Sequence, residues 1–160
     1  MNRTLRMGLI LGGLLVSAAV VAAPIAERPP LNKIGKEVAK NSTLQKIPDA
    51  DAVPLPAYPG SFFERLVPDG HPPKGAYVSL VLVSNDPPAK VRAWYAKHLK
   101  GMKWFKDMKV FAKPDFDGSF ASLFKMPHVS IHATTPAKLN PGLYALPNVK
   151  TEIMLGYFAK

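Results

Sequence analysis

Cysteine is absent from the 160 residues of this chain. Disulfide bonds, a lipid-modified N-terminal cysteine and a cysteine nucleophile are therefore excluded, and the fold has to be stabilised by packing alone. The chain also lacks a Gly-x-Ser-x-Gly segment, the turn that presents the catalytic serine of many hydrolases. These two absences remove the most recognisable forms of nucleophilic catalysis.

Acidic residues are few, with 11 Asp and Glu against 21 Lys and Arg. Their spacing does not support a glycosidase-type pair of carboxylates. Asp115 and Asp117 resemble the start of a calcium loop, but the sixth and twelfth positions of such a loop, which need Gly and Glu, are Phe120 and Met126. Asp117-Gly118 predicts a hairpin turn instead.

The four histidines do not predict a metal site. His128 and His132 would share one face of a helix, as metal ligands often do. However, Pro127 and the β-branched residues between the histidines predict a strand, in which the two would lie about 13 Å apart. Because one ion cannot bridge that distance, we expect no metal, and we expect no other cofactor.

Residues 1–23 have the plan of a secretory signal. Arg3 and Arg6 precede an apolar run of 17 residues that begins at Met7 and ends at Ala23. This pattern predicts export to the periplasm or the exterior, with the signal removed. A run of this length is also at the lower limit for crossing a bilayer, so an uncleaved signal would anchor the chain in the inner membrane.

The remaining chain divides into two parts. Residues 24–57 mix prolines with polar residues, which predicts a flexible spacer. One weak helical repeat within it, Leu31, Ile34 and Val38, predicts one or two helical turns. Aromatic residues become frequent after this segment, and residues 58–160 are predicted to form a single domain. A core of about a hundred residues is large enough to fold alone.

Hydrophobic periodicity predicts an α+β fold, in which one main helix packs across an antiparallel sheet of about four to five strands. The helix has one apolar stripe, formed by Val91, Trp94, Tyr95 and Leu99. The strands are predicted at residues 77–83, 104–112, 119–126, 128–134 and 151–158. The first of these is apolar enough to be buried on both faces. Residues 135–150, which contain three prolines and one glycine, are predicted to form a long loop.

Several of these residues form a pattern that resembles one in small exported bacterial proteins of unassigned function. The pattern consists of Tyr58-Pro59-Gly60, a strand, Ser84, Asp86, Pro88, Val91, Trp94-Tyr95, Leu99 and Trp104. The resemblance covers about half of the chain after the signal, and it implies export and an α+β fold without supplying a catalytic residue. Two features depart from the pattern: Met102-Lys103 before Trp104, and the long proline-rich loop.

The turn after the apolar strand, residues 84–88, lies where many proteins hold a phosphate group. A helix start binds anions through its unpaired backbone N–H groups. Here Pro87 and Pro88 have no N–H, and Asp86 is itself negatively charged. The sequence therefore predicts a structural corner at which Pro88 opens the helix.

Positive charge is concentrated in one segment. The net charge of +10 becomes +8 when Arg3 and Arg6 leave with the signal, and residues 86–113 alone contribute +6. Four lysines in this segment recur every three residues among aromatic side chains: Lys97, Lys100, Lys103 and Lys106. A solvated surface explains such lysines, but basic residues between aromatics are also typical of sites for anionic polymers or surfaces.

These features predict a non-enzymatic exported domain whose four lysines bind an anionic envelope surface, either lipid headgroups or an acidic polymer. Nucleic acid is disfavoured as a partner because the predicted location lies outside the cytoplasm. A protein partner that adds to an exposed strand edge stays open until the sheet order is known. The alternative is a small periplasmic enzyme with a pocket between helix and sheet, with these polar candidates: Tyr77, Ser84, His128 and His132.

Overall fold

The structure, a computed structural model, describes residues 24–41, 44–68, 72–138 and 144–160. The predicted signal, residues 1–23, lies outside the described residues. None of the helices in the described part of the chain has the length and hydropathy needed to span a bilayer.

Within the described residues, six strands form one antiparallel sheet in the order β1-β2-β6-β5-β4-β3. They are β1 Phe62–Val67, β2 Tyr77–Ser84, β3 Lys103–Phe105, β4 Val110–Ala112, β5 His128–Ala133 and β6 Thr151–Phe158. Three α-helices accompany the sheet in this part of the chain: α1 Lys33–Asn41, α2 Pro88–His98 and α3 Phe120–Leu123. The α+β class is confirmed. The sheet has more strands than the four to five predicted, and α2 is not clearly dominant among the helices.

Two of the predicted strands have other conformations. Residues 104–112 fold into the β3–β4 hairpin, because the chain turns tightly at Lys109, which has a φ of 51°. Residues 119–126 contain α3, whose N-cap Ser119 accepts a hydrogen bond from a backbone N–H through its side chain. Local bonds between side chain and backbone favour this short helix over the strand that the apolar residues suggested.

The main core lies between α2 and one face of the sheet. Val91 and Tyr95 are fully buried there, as the predicted helical stripe requires. They belong to one apolar cluster with alternate residues of the three central strands: Val78, Leu80, Leu82, Val129, Ile131, Ile153, Leu155 and Tyr157. The Tyr95 hydroxyl donates a 3.1 Å hydrogen bond to the Pro56 carbonyl, so its burial leaves no unpaired group. Truncating a buried aromatic side chain of this size to alanine costs about 3–5 kcal/mol.

Residues predicted to form a spacer also enter this core. Ala26, Val53 and Leu55 are buried within it, and Glu27 forms a parallel bridge with Phe62. The difference from the expectation has a physical reason. Apolar residues that are separated by prolines show neither helix nor strand periodicity, so the sequence gives no sign that they are buried. An extended segment can nevertheless pack such residues individually against a sheet.

The two edge strands of the sheet are β1 and β3. At the outer edge of β1, the Phe63 N–H donates a 2.8 Å hydrogen bond to the Glu27 carbonyl. At the other edge, β3 has only three residues. Short or covered edges present few unpaired backbone groups to a strand of another protein.

Asp86 ties α2 to the sheet at the corner that follows β2. Its carboxylate accepts hydrogen bonds from the Tyr58 hydroxyl at 2.8 Å and from Lys90 Nζ at 3.0 Å. Its carbonyl accepts a 2.6 Å bond from Thr151 Oγ1, and its N–H donates to Ser84 Oγ at 3.1 Å. Each polar group of Asp86 is thus bonded to another part of the protein.

The corner has the proline geometry expected from the sequence. Pro88 is the first residue of α2, and Pro87 precedes it in extended conformation. The Asp86 carboxylate does not cap the backbone of the helix, since it accepts bonds from two side chains instead. The turn therefore fixes the helix to Tyr58 and β6.

Asp86 makes stability depend on pH. The hydrogen bond from Lys90, followed by that from Tyr58, lowers the pKa of Asp86 below its usual value. As the pH falls, the unfolded chain binds a proton first, near pH 4. The contribution of Asp86 is therefore complete above about pH 4 and is lost as the pH falls through the lower folded-state pKa.

We expect Asp86→Asn to lower the free energy of unfolding at neutral pH and to flatten its decline below about pH 4, because the lost ion pair no longer titrates. Urea denaturation over a series of pH values measures both effects. Asp107→Asn, in the exposed β3–β4 turn, is the matched control. An Asp86→Asn profile that runs parallel to that of the wild type would contradict this account.

Candidate functional site

A groove lies between the first turn of α2, the β3–β4 hairpin and the end of β5. Its volume is about 320 Å³. The residues that line it are Pro88, Ala89, Arg92, Trp104, Lys106, Lys109, Ile131 and Ala133. Three of these are cationic and none is acidic, so the lining of the groove carries a net positive charge.

Arg92 is positioned by α2 and by an aromatic ring. It lies about one helical turn after Pro88, which puts both residues on the same side of α2. Its guanidinium carbon is 5.6 Å from the centre of the Trp104 ring, a cation–π contact worth about 0.5–1 kcal/mol at an exposed site. Trp104 packs in turn on Phe111, with ring centres 4.9 Å apart. The indole thus connects the groove to the core and orients Arg92.

Lys106 and Lys109 are placed by the tight turn of the hairpin. The Lys109 N–H donates to the Lys106 carbonyl at 3.2 Å, and the Ile131 N–H donates to the Lys109 carbonyl at 3.0 Å. Lys109 is in the left-handed region of φ, where a side chain costs about 1–2 kcal/mol. Glycine would avoid this strain, and strained residues occur often at functional sites.

The indole N–H of Trp104 is an unpaired donor beside the groove. Its Nε1 atom is buried and has no hydrogen-bond acceptor among the described residues. A buried donor without a partner costs about 1–3 kcal/mol. Because solvent does not reach Nε1, the accessible part of Trp104 in the groove is its ring and not its N–H.

The four predicted lysines do not all meet at this groove. Lys106 lines it. Lys97 lies on the exposed side of α2, and Lys100 lies in the turn after that helix. Lys103 is exposed in β3, where alternation points it away from the side of the sheet on which Trp104 packs.

Two of the groove cations, Arg92 and Lys109, are not among the four lysines that the sequence predicts as the site. Both lie in the basic segment, residues 86–113, but their approach to Lys106 depends on the hairpin turn. The sequence predicts one continuous strand at residues 104–112, and a strand without this turn would not bring the two lysines together at a groove. A positive-φ lysine has no signature in a single sequence.

The chain matches no known protein family, no curated protein and no solved structure. The resemblance to small exported bacterial proteins therefore stays a prediction.

The polar residues suggested for an enzymatic pocket do not converge between helix and sheet. Strand alternation puts Tyr77, His128 and His132 on the sheet face opposite α2, whereas Ser84 lies on the α2 side. His132 is four residues along β5 from His128, a separation of about 13 Å. Only Tyr77 and His128 approach each other, with 3.4 Å between the hydroxyl and Nε2.

Tyr77 and His128 belong to a chain of hydrogen bonds within the protein. Ser79 Oγ donates to the Tyr77 hydroxyl at 3.4 Å, and His128 Nδ1 lies 3.2 Å from the Met126 carbonyl. If Nδ1 carries the proton, Nε2 accepts from Tyr77; this tautomer is assigned from the partners. Burial lowers the pKa of His128 and raises that of Tyr77, so both rings are neutral near pH 7. This arrangement satisfies buried polar groups.

Gly156 makes room for these two rings, and we expect Gly156→Ala to be destabilising by about 1–3 kcal/mol, the usual range for overpacking. A Cβ at this position would be 2.5 Å from the Tyr77 hydroxyl and closer still to His128 Cε1. Urea denaturation measures the loss. His128→Ala should relieve the part of the clash that involves the imidazole, so the double variant should lose less than the sum of the two single losses. Stability within about 0.5 kcal/mol of the wild type for Gly156→Ala would refute the packing argument.

Proposed function

We propose that this protein is an exported, non-enzymatic domain that binds an acidic polymer of the cell envelope in the groove of Arg92, Lys106 and Lys109. The observation that carries the proposal is the convergence of these three cations on one groove without an acidic lining residue. Export is supported by the signal pattern of residues 1–23.

The composition of the groove fits a ligand that has both anionic groups and apolar parts. Arg92, Lys106 and Lys109 supply the charge, while apolar walls are formed by Pro88, Ile131 and Ala133. Cations pair with carboxylate, sulfate or phosphate groups, and the apolar walls suit the rings or chain atoms between such groups. A polymer with regularly spaced anionic groups has this chemistry.

The shape of the groove favours a polymer over a planar membrane. The Trp104 ring is part of the groove lining, so only a ligand that enters the groove would contact it. Headgroups fixed in a bilayer surface meet convex parts of a protein first, whereas a flexible acidic chain can enter a concave site. Of the two anionic partners expected from the sequence, the groove therefore suits the acidic polymer.

We expect the triple variant Arg92→Gln, Lys106→Gln, Lys109→Gln to bind heparin, a test polyanion, at least about tenfold more weakly and with a shallower dependence on salt, because fewer counterions are released. In a Trp94→Phe background, the emission of Trp104 reports ligand in the groove. Titration at several salt concentrations gives both quantities.

The matched control is Lys97→Gln, Lys100→Gln, Lys103→Gln, which removes the same charge outside the groove. This variant should retain most of the affinity and the full Trp104 response. Equal losses in the two triple variants would mean that net charge alone governs binding, and the groove proposal would then be wrong.

Lys109→Gly separates the strain of the turn from the charge of the lysine. Glycine adopts a φ of 51° without steric penalty, so the variant should be as stable as the wild type or up to about 1 kcal/mol more stable. Heparin binding should nevertheless fall by about fivefold, an estimate of about 1 kcal/mol for one partly exposed charge contact. Lys113→Gly, outside the groove, is the control. Unchanged binding by a stable Lys109→Gly variant would remove Lys109 from the site.

A further inference from the structure

Helix α1 presents apolar side chains to solvent. Ile34 is 60 % exposed and Val38, about one turn later, is 36 % exposed. Gly35 is buried, so the side of the helix that contains Gly35 packs against the rest of the protein. A surface helix normally turns its apolar stripe toward the core. In α1, much of that stripe is left uncovered.

The position of α1 is fixed by the body of the protein. The Gly35 N–H donates a 2.8 Å bond to the Asn32 side chain just before the helix. Leu31 forms a bridge with Tyr144, and the Ala145 N–H donates to the Pro30 carbonyl at 2.7 Å. The exposure of Ile34 and Val38 is therefore a property of the folded domain.

The charged side of α1 is mainly basic. It carries Lys33, Lys36 and Lys40 against Glu37, which gives a net charge of +2. Lys40 pairs with Glu37 at 2.9 Å. Lysine stems are long enough for the ammonium groups to reach headgroup oxygens from a helix that lies in the membrane interface. A basic helix with an exposed apolar strip has the plan of an interfacial helix.

The other exposed apolar pair lacks this charge complementarity. Phe120 is 68 % exposed and Phe124 is 45 % exposed. The loop around them has as many carboxylates as lysines: Lys113, Asp115, Asp117 and Lys125. Electrostatic attraction to an anionic surface therefore favours α1.

We infer that α1 is a membrane-contact surface that places Ile34 and Val38 among the headgroups of a bilayer containing anionic lipid. This surface is separate from the groove and does not depend on the function proposed for it. The groove takes a polymer, while the exposed helix meets the bilayer.

The test uses the chain from Pro24 onward, which contains every described helix and strand, with phosphatidylcholine vesicles that contain or lack phosphatidylglycerol. Ile34→Ser with Val38→Ser should reduce co-sedimentation with the anionic vesicles by about tenfold, because the inserted apolar area is lost. Lys33→Gln with Lys36→Gln should weaken binding by about fivefold per lysine, and only when phosphatidylglycerol is present.

Two controls match these variants. Phe120→Ser removes an exposed apolar side chain elsewhere, and Lys97→Gln with Lys100→Gln removes the same charge from α2. Both should bind vesicles within about twofold of the parent chain, since a surface charge far from the membrane is screened. Urea denaturation confirms that all variants fold, which is expected because the changed residues are exposed.

Three outcomes would overturn the inference. The first is that the parent chain does not bind vesicles that contain phosphatidylglycerol. The second is binding that Phe120→Ser abolishes while the α1 variants retain it. The third is sedimentation equilibrium showing a dimer that Ile34→Ser with Val38→Ser dissociates, since the apolar strip would then be covered by a second copy of the chain.

Discussion

The hydrogen bonds of Asp86 fix the position of α2 on the sheet, and the other surfaces of the protein follow from that position. The carboxylate holds Tyr58, and the carbonyl holds Thr151 at the start of β6. Tyr95 can then be buried at the centre of the core with its hydroxyl bonded. Because Pro88 opens the helix at this corner, the first turn of α2 lies beside the β3–β4 hairpin and forms one wall of the groove. A helix held less firmly would leave Arg92 without a defined distance to the opposite wall.

Hydrophobic periodicity predicted the helices and strands in which buried residues recur at regular intervals. It located β2, β5, β6 and α2, because their apolar residues alternate or recur at helical spacing against one continuous core. It missed β1, and it could not show that Val53 and Leu55 enter the core from an extended, proline-rich segment. It also read strands where Lys109 turns the chain and where Ser119 caps a short helix. Those outcomes depend on single backbone conformations and local bonds, which leave no repeating pattern.

The candidate site was predictable only as an excess of charge. The segment that contains Arg92, Lys106 and Lys109 was identified from its net charge, but even spacing in the sequence pointed to a different set of lysines. Spacing predicts neighbours only within one helix or strand, and the groove joins residues from three elements. Alternation along β3 separates Lys103 from Trp104, although they are adjacent in the chain. The site is therefore a product of tertiary structure.

The groove combines two local arrangements that each lower the stability of the protein. Lys109 adopts a backbone conformation that glycine would adopt at less cost, and the Trp104 N–H is buried without an acceptor among the described residues. Their combined cost is about 2–5 kcal/mol, a large part of the stability of a small domain. Under the function proposed above, an anion in the groove would pair with Lys109 and offset part of the cost of its backbone conformation.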